Sequence, residues 1–506
     1  MMKIFLSLFA ILFFGATLVL AQETSKESKA AEKPLPVMPP VVTKHTITIN
    51  GKPLNYTATT GYITIKEENG KEKANIFFVA YTKDGVSDIS KRPVTYTFNG
   101  GPGSSSVWLH LGTVGPKRVL MSDKGDAMMP PYQLVDNEAT WLDQTDLVFI
   151  DPVTTGYSRA VVGEKAEQFH GYVEDIASVG EFIRLYTTKY LRWGSPKFLA
   201  GESYGTTRAT GLSGYLQDRH GMFLNGIVLI SSILNFQTAR FEKGNDLPFP
   251  LFLPTYCATA WYHKKLEADL QKDLQKTLRE VEEFATNEYT LALMKGDLMT
   301  KEEQENIVNK LSRYTGLSKE FVRNANYRIE IGRFVKELRR NDGLTVGRLD
   351  ARFMGTDYDN AGERYEFDPS NDATIKGPYT ATLNNYVRSV LKYENDLPYE
   401  ILGGRVQPWN YNNVQNQYLN TGETLRQAMS KNPSLKVLVA CGYYDLATPY
   451  FAAEYTFNHM GLKLEQHKNV SFTYYEAGHM MYIHKESFLK LKKDVDKFYA
   501  EALNGK

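Results

Sequence analysis

Cysteine is almost absent from this chain, which has only Cys257 and Cys441 among its 506 residues. Two cysteines cannot form the framework of several disulfides that holds small secreted domains together. An exported protein could still join the two to each other. Because Cys441 lies in an apolar, strand-like run, the sequence favours two buried free thiols instead. With 42% hydrophobic residues, a chain of this length can bury a large core without such bonds.

Metal-binding patterns and an excess of one charge are absent as well. The nine histidines are scattered, with neither an H-E-x-x-H motif nor a close pair of cysteines. The sequence therefore predicts no metal and no other cofactor. Lysine and arginine number 59 against 58 for aspartate and glutamate, a net charge of +1. Basic clusters with interleaved aromatic residues are missing, so we expect no nucleic-acid partner.

Long apolar runs are rare, and the one that stands out is at the N-terminus. A lysine precedes the apolar residues 4–20, and Ala21 follows them, which is typical of a secretory signal peptide. We predict that residues 1–21 are this signal and that residues 22–40, rich in Lys, Glu, Ser and Pro, are a solvated linker. An uncleaved membrane anchor is the alternative. We expect export to the periplasm or the extracellular space, with no stable membrane partner after signal cleavage.

The most informative motif is Gly-Glu-Ser-Tyr-Gly at residues 201–205. It follows the strand-like residues 197–200 and precedes a helix-compatible segment, 206–217, which is the context of a nucleophile elbow. Glycines on both sides permit the strained turn that such an elbow needs. The turn exposes the hydroxyl of Ser203 at the positive end of a helix. Ser203 is therefore the candidate nucleophile.

A base and an orienting acid for this serine follow later in the chain. Asp445 comes directly after one apolar strand-like run, and His479 comes after another through an Ala-Gly turn. Ser, Asp and His in this order are typical of α/β-hydrolases, and parallel sheets place their sites beyond the C-terminal ends of strands. We predict His479 as the base and Asp445 as the carboxylate that orients it. His484 is the main rival to His479, whereas Asp151, which precedes the serine, is interpreted as structural.

A glycine-rich loop supplies candidate oxyanion donors. The loop Asn-Gly-Gly-Pro-Gly-Ser-Ser-Ser at residues 99–106 follows a strand-like run at 94–98. The oxyanion of acyl transfer needs two backbone N–H groups, one of them from the residue after the nucleophile. We predict Gly101 and Tyr204 as these donors. A phosphate-binding loop is the weaker interpretation, because the Walker lysine and the G-x-G-x-x-G spacing are missing.

In this order, the motifs resemble the serine carboxypeptidase family, peptidase family S10. The resemblance rests on N-G-G-P-G-S-S at 99–105, G-E-S-Y at 201–204 and A-G-H-M at 477–480, with further matches between about residue 94 and about residue 481. The run Gly-Arg-Leu-Asp-Ala-Arg at 347–352 is similar to a bacterial branch of the family. The resemblance implies an α/β-hydrolase fold, a mostly parallel sheet with an inserted helical cap. It also implies a triad of Ser203, Asp445 and His479.

The resemblance also implies how a substrate is bound. It assigns Asn99, Gly100 and Glu202 to the terminal carboxylate of a peptide with a free C-terminus. Two carboxylates side by side repel unless one holds a proton, so the family's chemistry implies activity favoured by acid. The glutamate that commonly hydrogen-bonds the residue matching Glu202 is replaced here by Thr113. The sequence therefore leaves the pH range open.

Patterns along the chain predict its organisation. Alternating residues at 45–81 with an Asn-Gly turn indicate an antiparallel edge, and residues 94–233 alternate strands and helices. Together they predict core segments at 41–235 and 431–506, with a helical cap at 236–430 between them. Within the cap, leucines spaced by four predict one amphipathic helix, and Thr-Lys-Glu-Glu predicts a capping box. The residues concerned are Leu266, Leu270, Leu274 and Leu278 for the helix, and Thr300 for the box.

The function expected from the sequence is that of an exported serine carboxypeptidase. Two other functions remain open. An esterase or acyltransferase could use the same triad, and a non-catalytic exported protein could use the same scaffold for binding. The intact order of serine, acid and base disfavours the binding protein, because binding alone does not need it. The oligomeric state and the preferred terminal residue do not follow from the sequence.

Overall fold

The computed structural model of the chain describes residues 39–504. The predicted signal peptide and nearly all of the predicted linker lie outside the described residues. None of the helices in the described part combines the length and the apolar character that crossing a membrane requires. By their contacts, the described residues form one compact unit. The division into two core segments and a cap stays a prediction.

Within residues 39–504, ten strands form one mixed sheet. From one edge to the other, the strands are Val41–Ile49, Lys52–Lys66, Glu72–Lys83, Asp146–Ile150, Val94–Phe98, Lys197–Ser203, Gly226–Ser232, Lys436–Gly442 and Val470–Tyr475, and Arg159–Ala160 pairs beside the third. The first four strands pair antiparallel with one another, Arg159–Ala160 also pairs antiparallel with the third, and the remaining neighbours pair parallel. The predicted antiparallel edge is confirmed, and its first turn lies at Asn50 and Gly51, both with positive φ.

Alternate residues of the central strands enter two separate hydrophobic cores. Ile227 and Leu229 face one core, while Val228 and Ile230 on the same strand face the other. Because side chains alternate across a strand, both faces of this sheet are covered and the strand is apolar throughout. The rigid sheet fixes the loops that follow its parallel strands.

Helices cover both cores, and eight of them lie in the interval between the strands Gly226–Ser232 and Lys436–Gly442. Their bounds are Val107–Leu109, Tyr172–Lys189, Tyr204–His220, Pro248–Tyr262, Leu274–Phe284, Thr290–Lys295, Lys301–Thr315, Lys319–Asn324, Ile331–Glu337, Lys376–Ser389, Gly422–Lys431, Tyr450–Asn458, Leu464–His467 and Lys485–Leu503. Two short hairpins pair Lys117–Val119 with Leu134–Asp136 and Thr345–Val346 with Met354–Gly355. The capping box at Thr300 is confirmed, since its side chain and that of Glu303 exchange hydrogen bonds with each other's backbone.

The prediction of one helix through four evenly spaced leucines is wrong. All four side chains are buried, as expected for packing residues, but the α-helix begins only at Leu274. Asp273 before it is extended, with φ −149° and ψ 107°, and Leu270 lies in a separate 3-10 turn. The Asp273 carboxylate accepts a hydrogen bond from the backbone N–H of Lys276 at 3.0 Å. This local cap competes with a continuous helix, which the leucine spacing alone does not show.

Both cysteines lie in the described part of the chain, and both are buried free thiols. Cys257 lies in the helix Pro248–Tyr262, and Cys441 lies in the strand Lys436–Gly442. The expected unpaired state is therefore confirmed. Burial raises the pKa of both thiols, which keeps them protonated and unreactive in the folded protein.

Candidate active site

Ser203 lies on a sharp turn between a central strand and a helix. The strand Lys197–Ser203 ends at the serine, and the helix Tyr204–His220 begins at the next residue. Ser203 has φ 61° and ψ −130°, a conformation that non-glycine residues rarely adopt. A Cβ on Gly201 would collide with the carbonyl oxygen of Gly205. The glycines predicted to permit the elbow are therefore required by close backbone packing.

His479 and Asp445 form a buried pair. Nδ1 of His479 lies 2.7 Å from Oδ2 of Asp445, and their side chains are 5% and 0% exposed. The other oxygen of Asp445 accepts backbone N–H bonds from Ala447 at 2.8 Å and Thr448 at 3.0 Å. The Thr448 hydroxyl donates to Oδ2 at 2.6 Å. With Asp445 held in this way, Nδ1–H is fixed on the carboxylate side and Nε2 remains for the serine.

The surroundings of His479 favour its protonated form. Burial and the positive charge of Arg348 lower the pKa of His479. The charge and hydrogen bond of Asp445 and the charge of Glu202 raise it. The contributions that raise it are larger together, so the pKa of His479 lies above the ordinary 6.5. A raised pKa suits a base that must take a proton from a serine hydroxyl. His484, the rival base, does not line this cavity and contacts Ser487 at 2.9 Å.

The segment 348–352 fixes the loops that carry the acid and the base. The backbone N–H of His479 donates to the carbonyl of Leu349 at 2.7 Å, and that of Gly478 donates to Oδ2 of Asp350 at 3.1 Å. Asp350 is held by a buried ion pair with Arg352 at 2.6 Å. The sequence pattern marks this run only as a family feature. The contacts show that it also positions His479.

The glycine-rich loop lies directly on the elbow. A Cβ on Gly100 would collide with the backbone nitrogen of Tyr204, and Gly101 has φ 103°. This close approach brings the loop and the first N–H of the elbow helix to the same side of Ser203. Asp151 supports the loop from behind, accepting the N–H of Ser106 at 2.8 Å. This contact agrees with the interpretation of Asp151 as a structural residue.

Glu202 is a buried carboxyl between two hydrogen-bond donors. The amide nitrogen of Asn99 donates to Oε1 at 3.0 Å, and the hydroxyl of Tyr482 donates to Oε2 at 2.6 Å. Asn99 is oriented by the N–H of Leu109, which donates to Oδ1 at 3.0 Å. Burial raises the pKa of Glu202 to about 7, although His479, Tyr482 and Asn99 oppose the rise. The carboxyl can therefore hold a proton near neutral pH.

Tyr482 is a site residue that sequence reasoning missed. It lies three residues after His479, and its ring occupies space that a Cβ on Gly112 would fill. Its hydroxyl donates a hydrogen bond to Glu202, a contact that the resemblance implies for a second carboxyl, which is replaced here by Thr113. No local motif marks Tyr482, because the contact joins residues 280 positions apart.

A cavity of about 650 Å³ opens over the serine. Seven of the eight predicted site residues line it: Asn99, Gly100, Gly101, Glu202, Ser203, Tyr204 and His479. Asp445 lies behind His479 and does not reach the cavity. The interval 236–430 adds wall residues that the sequence did not indicate, among them Phe236, Arg348 and Trp409. The rings of Phe236 and Trp409 pack edge-on against the ring of Tyr204, with distances of 6.4 and 5.5 Å between the ring centroids.

The residues 39–504 contain no group of three or more His, Cys, Asp or Glu side chains that could hold a metal ion. The chemistry available at the cavity is that of a strained serine, a histidine paired with a buried aspartate, and backbone N–H groups at a helix start. Serine hydrolases that work through an acyl-enzyme use this combination of groups.

A family comparison identifies which serine hydrolases the chain belongs with. The model of the family described as serine carboxypeptidase matches residues 49–492. The chain therefore belongs to the serine carboxypeptidase family, and the resemblance seen in the sequence is confirmed. The assignment to a bacterial branch stays a prediction.

Curated relatives match over shorter segments. The pheromone-processing carboxypeptidase KEX1 of Yarrowia lipolytica is 30% identical over 183 residues, which cover 35% of this chain and 26% of that protein. The serine carboxypeptidase-like 20 protein of Arabidopsis thaliana is 29% identical over 146 residues, 28% of this chain and 27% of that protein. The matches thus span about a quarter of the length of these relatives.

Among solved structures, the chain is similar to Kex1(delta)p, a prohormone-processing carboxypeptidase from Saccharomyces cerevisiae. The superposition has a TM-score of 0.55 with 18% identity and covers 88% of this chain and 91% of that one. At this identity the likeness shows the fold. Together with the strand order and the strand–elbow–helix unit, it confirms the predicted α/β-hydrolase fold.

Proposed function

We propose that this protein is a serine-type carboxypeptidase that removes the C-terminal residue of peptides. The observation that carries the proposal is the group formed by Asn99, Glu202 and Tyr482 beside the triad. It presents an amide and a protonatable carboxyl to the same cavity as Ser203. An esterase for neutral acyl groups has no use for a buried carboxyl that gains a proton near neutral pH.

In the acylation step, Ser203 attacks the carbonyl carbon of the last peptide bond. Nε2 of His479 takes the hydroxyl proton as the new C–O bond forms, and the carbonyl π electrons move to the oxygen. The N–H groups of Gly101 and Tyr204 stabilise this oxyanion. When the tetrahedral intermediate collapses, the C–N bond breaks and His479 gives the proton to the leaving amine. The free terminal amino acid departs, and an acyl-enzyme remains on Ser203.

In the deacylation step, water takes the place of the amine. His479 accepts a proton from the water as its oxygen bonds to the acyl carbon, and the same oxyanion donors act again. Collapse breaks the bond to Ser203, whose oxygen recovers the proton from His479. The products are the shortened peptide and the free enzyme. Asp445 stabilises the imidazolium in both steps without itself taking the proton.

The group around Glu202 selects substrates by their terminal carboxylate. The second N–H of the Asn99 amide and the proton of Glu202 can both donate to that carboxylate. Tyr482 and the first Asn99 N–H hold the Glu202 carboxyl in place while it does so. Hydrogen bonds to a charged group each contribute about 1.5–3 kcal/mol. A peptide whose C-terminus is amidated loses these contacts and is a poor substrate.

Variants of this group test the proposal. We expect Asn99→Ala and Glu202→Ala each to lower kcat/KM on N-acyl dipeptides with a free carboxylate by about 10- to 100-fold. Hydrolysis of the matching ester with a blocked carboxyl should stay within about threefold of wild type. The ester is the internal control for folding and for the triad. Equal losses on both substrates would contradict carboxylate recognition and favour an esterase or acyltransferase.

Export of the protein to the periplasm or extracellular space is part of this proposal. It rests on the apolar N-terminal segment 4–20, which lies outside the described residues. The partners we propose are peptides with free C-termini that the protein meets after export.

A further inference from the structure

The catalytic cavity contains a cation whose role the proposed reaction does not explain. Five acidic or basic residues line it: Glu202, Arg240, Arg348, Asp368 and His479. Glu202 and His479 belong to the mechanism above. Arg240 is exposed and lies over the Phe236 ring at 5.6 Å. Arg348 is half-buried. Within residues 39–504 its guanidinium has no hydrogen bond and no ion pair.

The nearest acidic wall residue is already occupied by other donors. Oδ1 of Asp368 accepts the backbone N–H of Arg348 at 3.1 Å and of Ser370 at 3.0 Å, and Oδ2 accepts that of Leu349 at 3.2 Å. The hydroxyl of Ser370 also donates to Oδ1. Asp368 thus orders the loop backbone and is not engaged with the Arg348 side chain.

Two hydrogen bonds fix the backbone of Arg348, so the point from which its side chain extends is also fixed. Its N–H is held by Asp368, and its carbonyl accepts the N–H of Leu446 at 3.1 Å. The positive charge of the guanidinium lowers the pKa of two other cavity residues, His479 and Tyr365. For both residues the other contributions are larger, so the net pKa is raised. Arg348 also lines the same cavity as Ser203 and His479, so the cation belongs to the wall of the catalytic cavity.

A cation that is partly removed from water and has no counter-ion gains from an anion that enters the cavity. The planar guanidinium suits a carboxylate, which it can bind through two parallel hydrogen bonds. We propose that Arg348 binds a carboxylate of the peptide substrate, separately from the place held by Asn99 and Glu202. This proposal rests on the proposed carboxypeptidase function. Since Asn99 and Glu202 take the terminal carboxylate, Arg348 is assigned to an acidic side chain next to the scissile bond.

Paired peptides that differ only in charge test this assignment. The substrates are N-acyl dipeptides. One pair has Glu or Gln as the terminal residue, and a second pair has Glu or Gln as the penultimate residue. The neutral dipeptide Phe-Leu is the reference. We expect wild type to prefer Glu over Gln by about tenfold in kcat/KM at one of the two positions. In Arg348→Gln the preference should fall to about one. The ratio within one variant does not depend on the fraction of folded enzyme.

Arg333→Gln is the matched control. It removes the same charge from the helix Ile331–Glu337, where Arg333 is 39% exposed, pairs with Glu363 and does not line the cavity. The control should keep the wild-type Glu/Gln ratio. Arg348→Lys, which keeps the charge but loses the planar fork, should retain part of the preference.

Each outcome decides the proposal. A lost Glu/Gln preference in Arg348→Gln assigns the residue to an acidic side chain. An equal loss of at least tenfold on all free-carboxylate peptides, with hydrolysis of a blocked ester retained, assigns it to the terminal carboxylate instead. Unchanged ratios and unchanged rates overturn the proposal.

The experiment separates failure of the proposed function from failure of this inference. If wild type hydrolyses the ester but none of the peptides, the carboxypeptidase proposal fails. The same peptide acids are then used as competitive inhibitors of ester hydrolysis. Weaker inhibition of Arg348→Gln than of wild type supports a carboxylate site at Arg348, and equal inhibition overturns it.

Discussion

At the scale of single residues, the environment of Glu202 links the structure to the pH range of the reaction. The proposed reaction needs a protonated Glu202 and a neutral His479. The pKa of Glu202 is raised to about 7, mainly by burial. That of His479 is raised above 6.5, since the contributions of Asp445 and Glu202 outweigh burial. Because the two groups interact, their titrations are coupled, and a pH profile reports values that belong to the pair.

We therefore expect a bell-shaped profile of kcat/KM for peptides, centred near neutral pH. As the pH falls through the pKa of His479, the base becomes protonated and the rate drops. As the pH rises through about 7, Glu202 loses its proton and peptide binding weakens. A blocked ester should show only the lower limb, because it does not need the proton on Glu202. A peptide profile without an upper limb would contradict this role.

Tyr482→Phe tests the part of this behaviour that belongs to the tyrosine. The Tyr482 hydroxyl donates to Glu202 and opposes the rise of its pKa. Without the hydroxyl, the pKa of Glu202 rises further, so the upper limb of the peptide profile should move to higher pH. Glu202→Gln, which does not titrate, should lack that limb. If the limb stays unchanged in both variants, another group causes it.

At the scale of elements, the active site depends on contacts that hold separate loops together. The segment 348–352 contacts the loop of Asp445 through Arg348 and Ala351, and the loop of His479 through Leu349 and Asp350. Each catalytic residue lies at the end of a parallel strand or just after it, so the sheet determines the approximate position of each residue. The segment 348–352 holds the loops that carry Asp445 and His479 in place relative to each other.

Arg352→Leu should weaken both the fold and the site. It leaves Asp350 as an unpaired buried carboxylate, since the side chains of the pair are 6% and 3% exposed. Breaking such a pair costs about 3–5 kcal/mol of unfolding free energy. Urea unfolding followed by fluorescence measures this loss. We also expect kcat to fall, because Asp350 orients the backbone next to His479.

Arg388→Leu is the matched control at the surface. Arg388 pairs with Asp396, and the two side chains are 57% and 93% exposed. Its urea midpoint should equal that of wild type, because exposed ion pairs contribute little. Equal midpoints for Arg352→Leu and wild type would contradict the stabilising role of the bridge.

Motifs beside strands could be predicted from the sequence, whereas contacts between distant segments could not. Ser203, Asp445 and His479 each follow an apolar strand-like run, and their order along the chain matches a known fold. Tyr482 and Arg348 have no such local pattern. Their positions follow from packing between segments far apart in the chain. The leucine spacing at 266–278 failed for a different reason, since a local cap at Asp273 interrupts the helix that the spacing predicts.

At the scale of the whole molecule, stability comes from the two cores on the faces of the sheet and not from disulfides. Cys257 and Cys441 are fully buried within the first of these cores. Neither thiol is placed to react with a reagent in water while the protein is folded.

A thiol-reactive dye should therefore label neither cysteine in the native protein and both after denaturation. Mass spectrometry of the intact protein counts the added groups. Labelling of two sites in urea without prior reduction would also show that no disulfide had formed. Rapid labelling of the native protein would contradict the burial of these residues.

The central claim is that the triad and the group around Glu202 act together as a carboxypeptidase. The most direct test is mass spectrometry of defined peptides, with free and with amidated C-termini, incubated with the purified protein between pH 5 and 9. We predict loss of single C-terminal residues from the free peptides, little loss from the amides, and a decrease of about 10⁶-fold in kcat for Ser203→Ala. Internal cleavage, equal trimming of the amides, or trimming that persists in Ser203→Ala would contradict the account.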